Sequence, residues 1–236
     1  SGHQLRHDTY WQGTYYNASE EVTGKQSDGL PEPACDGNPP SVEGAGFAVS
    51  QHHVVTAAHV LYCCKKVMIR KLECSGRTGA TVVATEQKSD LGLLRLDKPL
   101  KHYATLRGGK ELQLGEAVLT YDRKPKVNGC PQYDVGQGKV TKLNWMPDDS
   151  RLMSHNAPIG AGSSGGPILD ASGHVIGVTQ AKRGGDTEAA AVKSHLLGAF
   201  LKSNNVEYNT APSTEELSLS EIKKKSDKFT VIIDCI

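Results

Sequence analysis

The chain has 236 residues, 37% of them hydrophobic and 22% charged, and a net charge of +1. That length buries one sizeable core, or two small ones packed together. The balanced charge argues against nucleic acid as the main partner, because such binding rests on clustered Lys and Arg facing phosphates, and no apolar run approaches the ~20 residues that cross a bilayer.

Residues 1–40 are polar and carry Pro31, Pro33, Pro39 and Pro40, which reads as an irregular arm. The opening SGHQLRHD is followed by no apolar stretch, so no secretion signal is visible and the chain reads as a mature or trimmed form. From residue 43 the pattern changes. Short segments rich in β-branched residues follow one another: GFAVS (46–50), HVVTAA (53–58), KVMIRKL (66–72), ATVVATE (80–86) and LGLLRL (91–96). A polar connection spans 97–115. A second series follows: EAVLTYD (116–122), YDVGQGKVTKL (133–143), SRLMSH (150–155), GPILD (166–170), HVIGVTQA (174–181) and EAAAVK (188–193). Two series of short strands split by a connector predict an all-β chain of two antiparallel barrels or sandwiches, the first over about 41–100 and the second over about 114–193.

One helix is expected at 194–203, with Ser194 as its N-cap and Leu196, Leu197, Phe200 and Leu201 on one face. Residues 204–236 form an extension in which Lys223, Lys224 and Lys225 read as a solvated helix face and 229–233 as a strand. That strand is expected either to join a barrel or the core, with Cys235 as a tether, or to span the cleft and regulate access.

Six cysteines (Cys35, Cys63, Cys64, Cys74, Cys130 and Cys235) fit disulfides and an oxidising, secreted or periplasmic compartment. A bridge across the 64–74 loop is expected in preference to a zinc site, since no Cys-x-x-Cys spacing is present. At least one of Cys63 and Cys64 then has to reach Cys35, Cys130 or Cys235. His52 and His53 read as an exposed strand edge rather than as metal ligands. No cofactor and no metal is expected.

Three short pieces carry chemistry in order: Thr56-Ala57-Ala58-His59, Ser89-Asp90-Leu91-Gly92, and Gly162-Ser163-Ser164-Gly165-Gly166-Pro167. A serine hydroxyl is a weak nucleophile and needs a neighbouring base, for which imidazole is suited because it titrates near neutrality. The imidazole needs a carboxylate to hold its tautomer. The oxyanion that forms needs aligned backbone N–H donors, which a Gly-x-Ser-Gly turn can supply. With His59, Asp90 and Ser164 in that order, these motifs resemble the trypsin/chymotrypsin-fold serine endopeptidases over residues 43–203, and the stretch 156–178 is especially similar to the nucleophile region of HtrA-like members. The short spacings are similar to those of the HtrA-like and glutamyl-endopeptidase-like branches.

The resemblance implies a double six-stranded antiparallel β-barrel with a C-terminal helix and the site in the cleft between barrels. It implies Ser164 as nucleophile, His59 as base and acid, Asp90 as the orienting carboxylate, and the N–H groups of Gly162 and Ser164 as the oxyanion hole. The substrate is then a protein or peptide. Pro158, six residues before Ser164, is implied at the base of the substrate pocket, and Thr179, Ala181 and Ala190 on its walls. Small or medium uncharged side chains should be preferred there, unless His155 intrudes. Digestive members carry an aspartate where this chain has Ser163, so activation by a freshly cut N-terminus is not expected. Residues 209–236 are too few for the PDZ domain that follows the protease in HtrA-like proteins. The rival reading is a protease fold kept as a binding scaffold, which an incomplete triad would have favoured.

Overall fold

A computed structural model describes residues 42–147, 149–182 and 187–236. The arm expected over 1–40 lies outside the described residues. Strands β1 (Val42–Ala48), β2 (His53–Ala57), β3 (Val67–Lys71), β4 (Arg77–Glu86), β5 (Leu91–Leu96) and β14 (Thr230–Cys235) close into a barrel in the order β1-β14-β3-β4-β5-β2. Every neighbouring pair in it is antiparallel.

The second barrel is built from β7 (Ala117–Val127), β8 (Cys130–Lys142), β9 (Leu152–His155), β10 (Pro167–Leu169), β11 (Val175–Lys182) and β12 (Ala189–Lys193). Its ring runs β10-β7-β8-β9-β12-β11 and closes through β10 against β11. Two short strands extend this sheet in parallel: β6 (Thr105–Arg107) on β11, and β13 (Asn209–Ala211) on β6. The fold is therefore the all-β double six-stranded barrel, with helices α1 (Ser194–Ser203) and α2 (Leu219–Ser226).

The strands form where β-branched and apolar residues alternate or run together between turn residues. β7 and β8 are longer than expected. The Lys-Pro-Lys run 124–126 looks like a strand end, yet Pro125 sits at a register shift, where a missing N–H costs the ladder little. The two strands meet in a two-residue turn, Asn128-Gly129, both at positive φ. Asn-Gly is a strong hairpin signal because both residues tolerate that backbone conformation. In α1 the N-cap is Lys193, without a side-chain cap, so Ser194 is the first helical residue. Its apolar face buries Leu197, Phe200 and Leu201. In α2, Ser218 and Glu221 make a reciprocal capping box.

One hydrophobic cluster runs through both barrels, from Val55, Leu93 and Ile232 to Leu119, Tyr121 and Val178. A smaller cluster inside the second barrel holds Val118, Val140, Met153, Ile168 and Ile176. All six residues of β14 are buried. The carboxyl-terminal strand thus stands as a stave of the first barrel.

That insertion decides the cysteine pairing and overturns the expected 64–74 bridge. β14 lies beside β3 with Cys235 opposite Val67, which brings Cys235 to Cys64, at 5.2 Å between Cα atoms. Cys74, in the turn after β3, instead meets Cys130 at the start of β8, 5.9 Å away. Both separations are ordinary for disulfides. The first ties β14 into its barrel, and the second ties the two barrels together. Cys63 is disulfide-bonded as well.

Candidate active site

β2 ends at Ala57 and tightens into a short 3-10 helix, Ala58–Leu61, which turns the His59 ring back toward β5. Ala57 is paired with Leu91, so His59 and Asp90 lie just beyond the two ends of one ladder rung. This register removes the 31-residue separation. Asp90 is at positive φ, a conformation in which a short polar side chain can bond locally. Its Oδ2 is 2.7 Å from His59 Nδ1, its Oδ1 accepts the His59 backbone N–H at 2.8 Å, and its carbonyl accepts from Ala58 N–H at 3.0 Å. A carboxylate only accepts, so Nδ1 carries the proton and Nε2 is left as the basic nitrogen. His59 is buried, with 9% of its surface exposed.

The Gly162–Gly166 turn leads into β10. Ser164 O accepts Ala45 N–H at 2.9 Å, and Thr56 Oγ1 donates to Ala45 O at 2.8 Å. Gly165 is at φ +84°, and a Cβ there would collide with Thr56 Oγ1 and with the backbone of Ala45 and Ala57. Glycine is required because the second barrel's turn presses against the strand that delivers His59. Ser164 Oγ donates to the carbonyl of Gln180 at 2.9 Å, and Gln180 Nε2 donates to Asp90 O at 3.3 Å. One residue of β11 therefore contacts both Ser164 and Asp90.

Two N–H groups of the turn, Gly162 and Ser164, donate to no protein acceptor among the described residues. Each is aimed by the carbonyl of its own trans peptide unit, which points the opposite way. Ser163 O is held by Gly166 N–H at 3.0 Å, and Ala161 O by Arg123 Nη1 at 3.2 Å. Ser163 is fully buried, and its hydroxyl accepts N–H bonds from Arg123 at 3.1 Å and Gly160 at 3.2 Å. This position holds a neutral hydrogen-bonding staple rather than an acid.

Of the expected pocket residues, Thr179 and Ala190 are buried on β11 and β12. Ala181 is paired with Ala190, and Thr179 with Ala191, across a register shift. Thr179 also bonds the Gly162–Gly166 turn through Gly165 N–H and Gly166 O. Pro158 is exposed, its ring facing Gly136 of β8 and its carbonyl held by Thr120 Oγ1 at 2.6 Å.

His155 ends β9 and is wholly buried, with only the Ala157 backbone to favour its charged form. Burial pushes its imidazole down from 6.5 to about 4. An unfolded chain takes up this proton below pH 6.5 while the native state does not. Stability present above pH 6.5 should therefore fall by up to about 3 kcal/mol as pH drops to 4. Urea unfolding of wild type and His155→Leu at pH 7 and pH 4.5 checks this: the variant should lose distinctly less stability between the two.

Gln180, Thr56, Arg123 and Glu43 complete the site and were not legible as site residues in sequence. Glu43 of β1 accepts from Arg70 and Lys126, each at 3.1 Å, and from Arg123. Burial pushes its carboxyl up, but hydrogen bonds from Lys126 and Arg123 outweigh this and hold it below the usual carboxylate range.

A family model described as a trypsin-like peptidase domain matches residues 44–178. The chain is 31% identical over 209 residues to the uncharacterized protein y4bJ of Sinorhizobium fredii, covering 83% of this chain and 32% of that protein. It is 28% identical over 142 residues to a probable periplasmic serine endoprotease DegP-like of Chlamydia trachomatis, covering 60% of this chain and 28% of the relative. The chain thus spans about a third of the length of these curated relatives. Among solved structures, the HtrA-type protease AlgW with decapeptide superposes with a TM-score of 0.58 at 20% identity, over 69% of this chain and 51% of AlgW.

Proposed function

We propose that this chain, which belongs to the trypsin-like peptidase domain family, is a serine endopeptidase that cleaves protein or peptide substrates through an acyl-enzyme on Ser164. The observation that carries this reading is the bidentate hold of Asp90 on His59, ring and backbone together, beside a turn with two unspent N–H donors.

In this mechanism the Ser164 hydroxyl turns from Gln180 O toward His59 and attacks the substrate carbonyl carbon. His59 Nε2 takes the hydroxyl proton, and Asp90 stabilises the imidazolium. The carbonyl oxygen becomes an oxyanion that accepts from Gly162 and Ser164 N–H. Collapse of this intermediate breaks the C–N bond, and His59 returns the proton to the leaving amine. A water then gives its proton to His59 and its oxygen to the acyl carbon, and Ser164 recovers its hydroxyl. No step calls for a cofactor.

Thr179, Ala181 and Ala190, with Pro158 at the base as the resemblance has it, support a preference for small or medium uncharged side chains before the cut. Preferred cleavage after Arg or Lys in a fluorogenic peptide library would overturn that pocket assignment. The disulfides, together with a relative whose name places it in the periplasm, support a secreted or periplasmic location.

A fluorophosphonate probe tests the central claim. It should label the wild-type chain and leave Ser164→Ala unlabelled. A folded wild-type chain that takes no label and cleaves no peptide in the library would favour a binding scaffold instead.

A further inference from the structure

The two oxyanion donors are not held alike. The peptide unit carrying the Ser164 N–H is fixed by main chain alone, through Gly166 N–H on Ser163 O. The unit carrying the Gly162 N–H has its carbonyl, Ala161 O, in the grip of one side chain, Arg123. Gly162 itself is at φ +92°, so the backbone offers little resistance to a rotation that would swing this N–H away.

Arg123 is well placed to oppose that rotation. A Cβ on Gly162 would come within 2.5 Å of Arg123 Cδ and 2.9 Å of Nε, so the guanidinium stem lies directly against the glycine. Tyr133, opposite Arg123 in the β7–β8 ladder, donates to Gly162 O at 3.3 Å. The Arg123 backbone N–H holds Ser163 Oγ. On its other side the guanidinium bonds Glu43, in the first barrel. Glu43 faces Asp234 of β14 across the ladder, and Arg70 bonds both carboxylates.

We infer that Arg123, clamped by Glu43, is the positioning residue that keeps the 161–162 peptide turned so that the Gly162 N–H faces the oxyanion; this rests on the endopeptidase reading above. The arrangement puts a cation permanently under the turn. It makes the first barrel, and through Arg70 the C-terminal strand, a support for the oxyanion hole of the second.

Losing one oxyanion donor costs about 10²–10³ in kcat. Arg123→Met should approach this, lowering kcat by about 30–100-fold with KM within about threefold, because the donor acts on the transition state and not on the bound substrate. Glu43→Gln should lower kcat by about 5–10-fold, and the double variant should be no slower than Arg123→Met alone, since Glu43 acts through Arg123. A peptide aldehyde, which forms a tetrahedral adduct, should bind Arg123→Met more weakly by the same factor as kcat falls. Circular dichroism and thermal melting establish that each variant is folded; should Arg123→Met fail to fold, Glu43→Gln carries the test through its own kcat and aldehyde affinity.

A folded Arg123→Met with kcat within twofold of wild type overturns the inference. So does a double variant whose losses multiply, or an aldehyde affinity that does not move with kcat. A wild-type chain that shows no Ser164-dependent hydrolysis at all overturns the endopeptidase reading itself, and the role of Arg123 with it.

Discussion

Ser164→Ala is expected to lower kcat for peptide hydrolysis by about 10⁶-fold, and His59→Ala by a similar factor. The two effects should not multiply. A nucleophile without its base, and a base without its nucleophile, leave the same residual catalysis, that of the oxyanion donors and substrate binding alone. Ser164→Ala/His59→Ala should therefore be about as slow as either single variant. Asp90→Asn is a different case. An amide can still accept from the His59 backbone N–H, but it no longer fixes the ring tautomer or stabilises the imidazolium, and the expected loss is about 10⁴-fold. Steady-state kinetics on one fluorogenic peptide, with KM and kcat separated, measures all four. Losses that multiply would mean that Ser164 and His59 do not act as one unit.

A chain ended at Lys228 is expected not to fold. The first barrel runs β1-β14-β3, so removing β14 opens it at two ladders at once and exposes both new edges. The cut also strips the core of Phe229, Val231, Ile232 and Ile233, all buried. At about 1.5–3 kcal/mol for each side chain, the gross loss is about 6–12 kcal/mol, comparable with the whole net stability of an ordinary domain. Loss of near-ultraviolet dichroism and of a cooperative melt would register it. The milder change, Cys64→Ser with Cys235→Ser, leaves the strand in place and removes only its tether. That variant should fold and lose about 2–5 kcal/mol in a urea titration. A truncated chain that melts cooperatively near the wild-type temperature would refute the role assigned to β14.

How far the sequence reaches differs from element to element. β5 is legible in the sequence at the bounds it has in the structure, because LGLLRL is a short apolar run between polar turns. The β7–β8 hairpin runs past the expected segments 116–122 and 133–143, because the ladder continues through a register shift at Pro125 to the Asn128-Gly129 turn. In the site, the family resemblance favours Ser164 over Ser163 through the pattern Gly-x-Ser-Gly-Gly, and the structure gives the two serines different environments: Ser163 buried beneath the turn, Ser164 bonded to Gln180. Gln180 carried no signal of its own. Its contact with Asp90 arises only because β11 passes beside the end of β5.

From sequence alone came the strand pattern, the order of the His59, Asp90 and Ser164 motifs and, through the family resemblance, the expectation of Ser164 over Ser163. Each of these is a property of short stretches: a period of two, a glycine frame, a residue beside a turn. The insertion of β14 between β1 and β3, the pairing of Cys64 with Cys235 and Cys74 with Cys130, and the placing of Arg123 under Gly162 were decided by tertiary structure. They join residues 171, 56 and about 40 positions apart. Nothing local distinguishes an arginine that will face solvent from one that will lie against the Gly162 turn. What decides it is which strand becomes the neighbour, and that is settled by barrel closure, where six strands must each find two partners and bury one face.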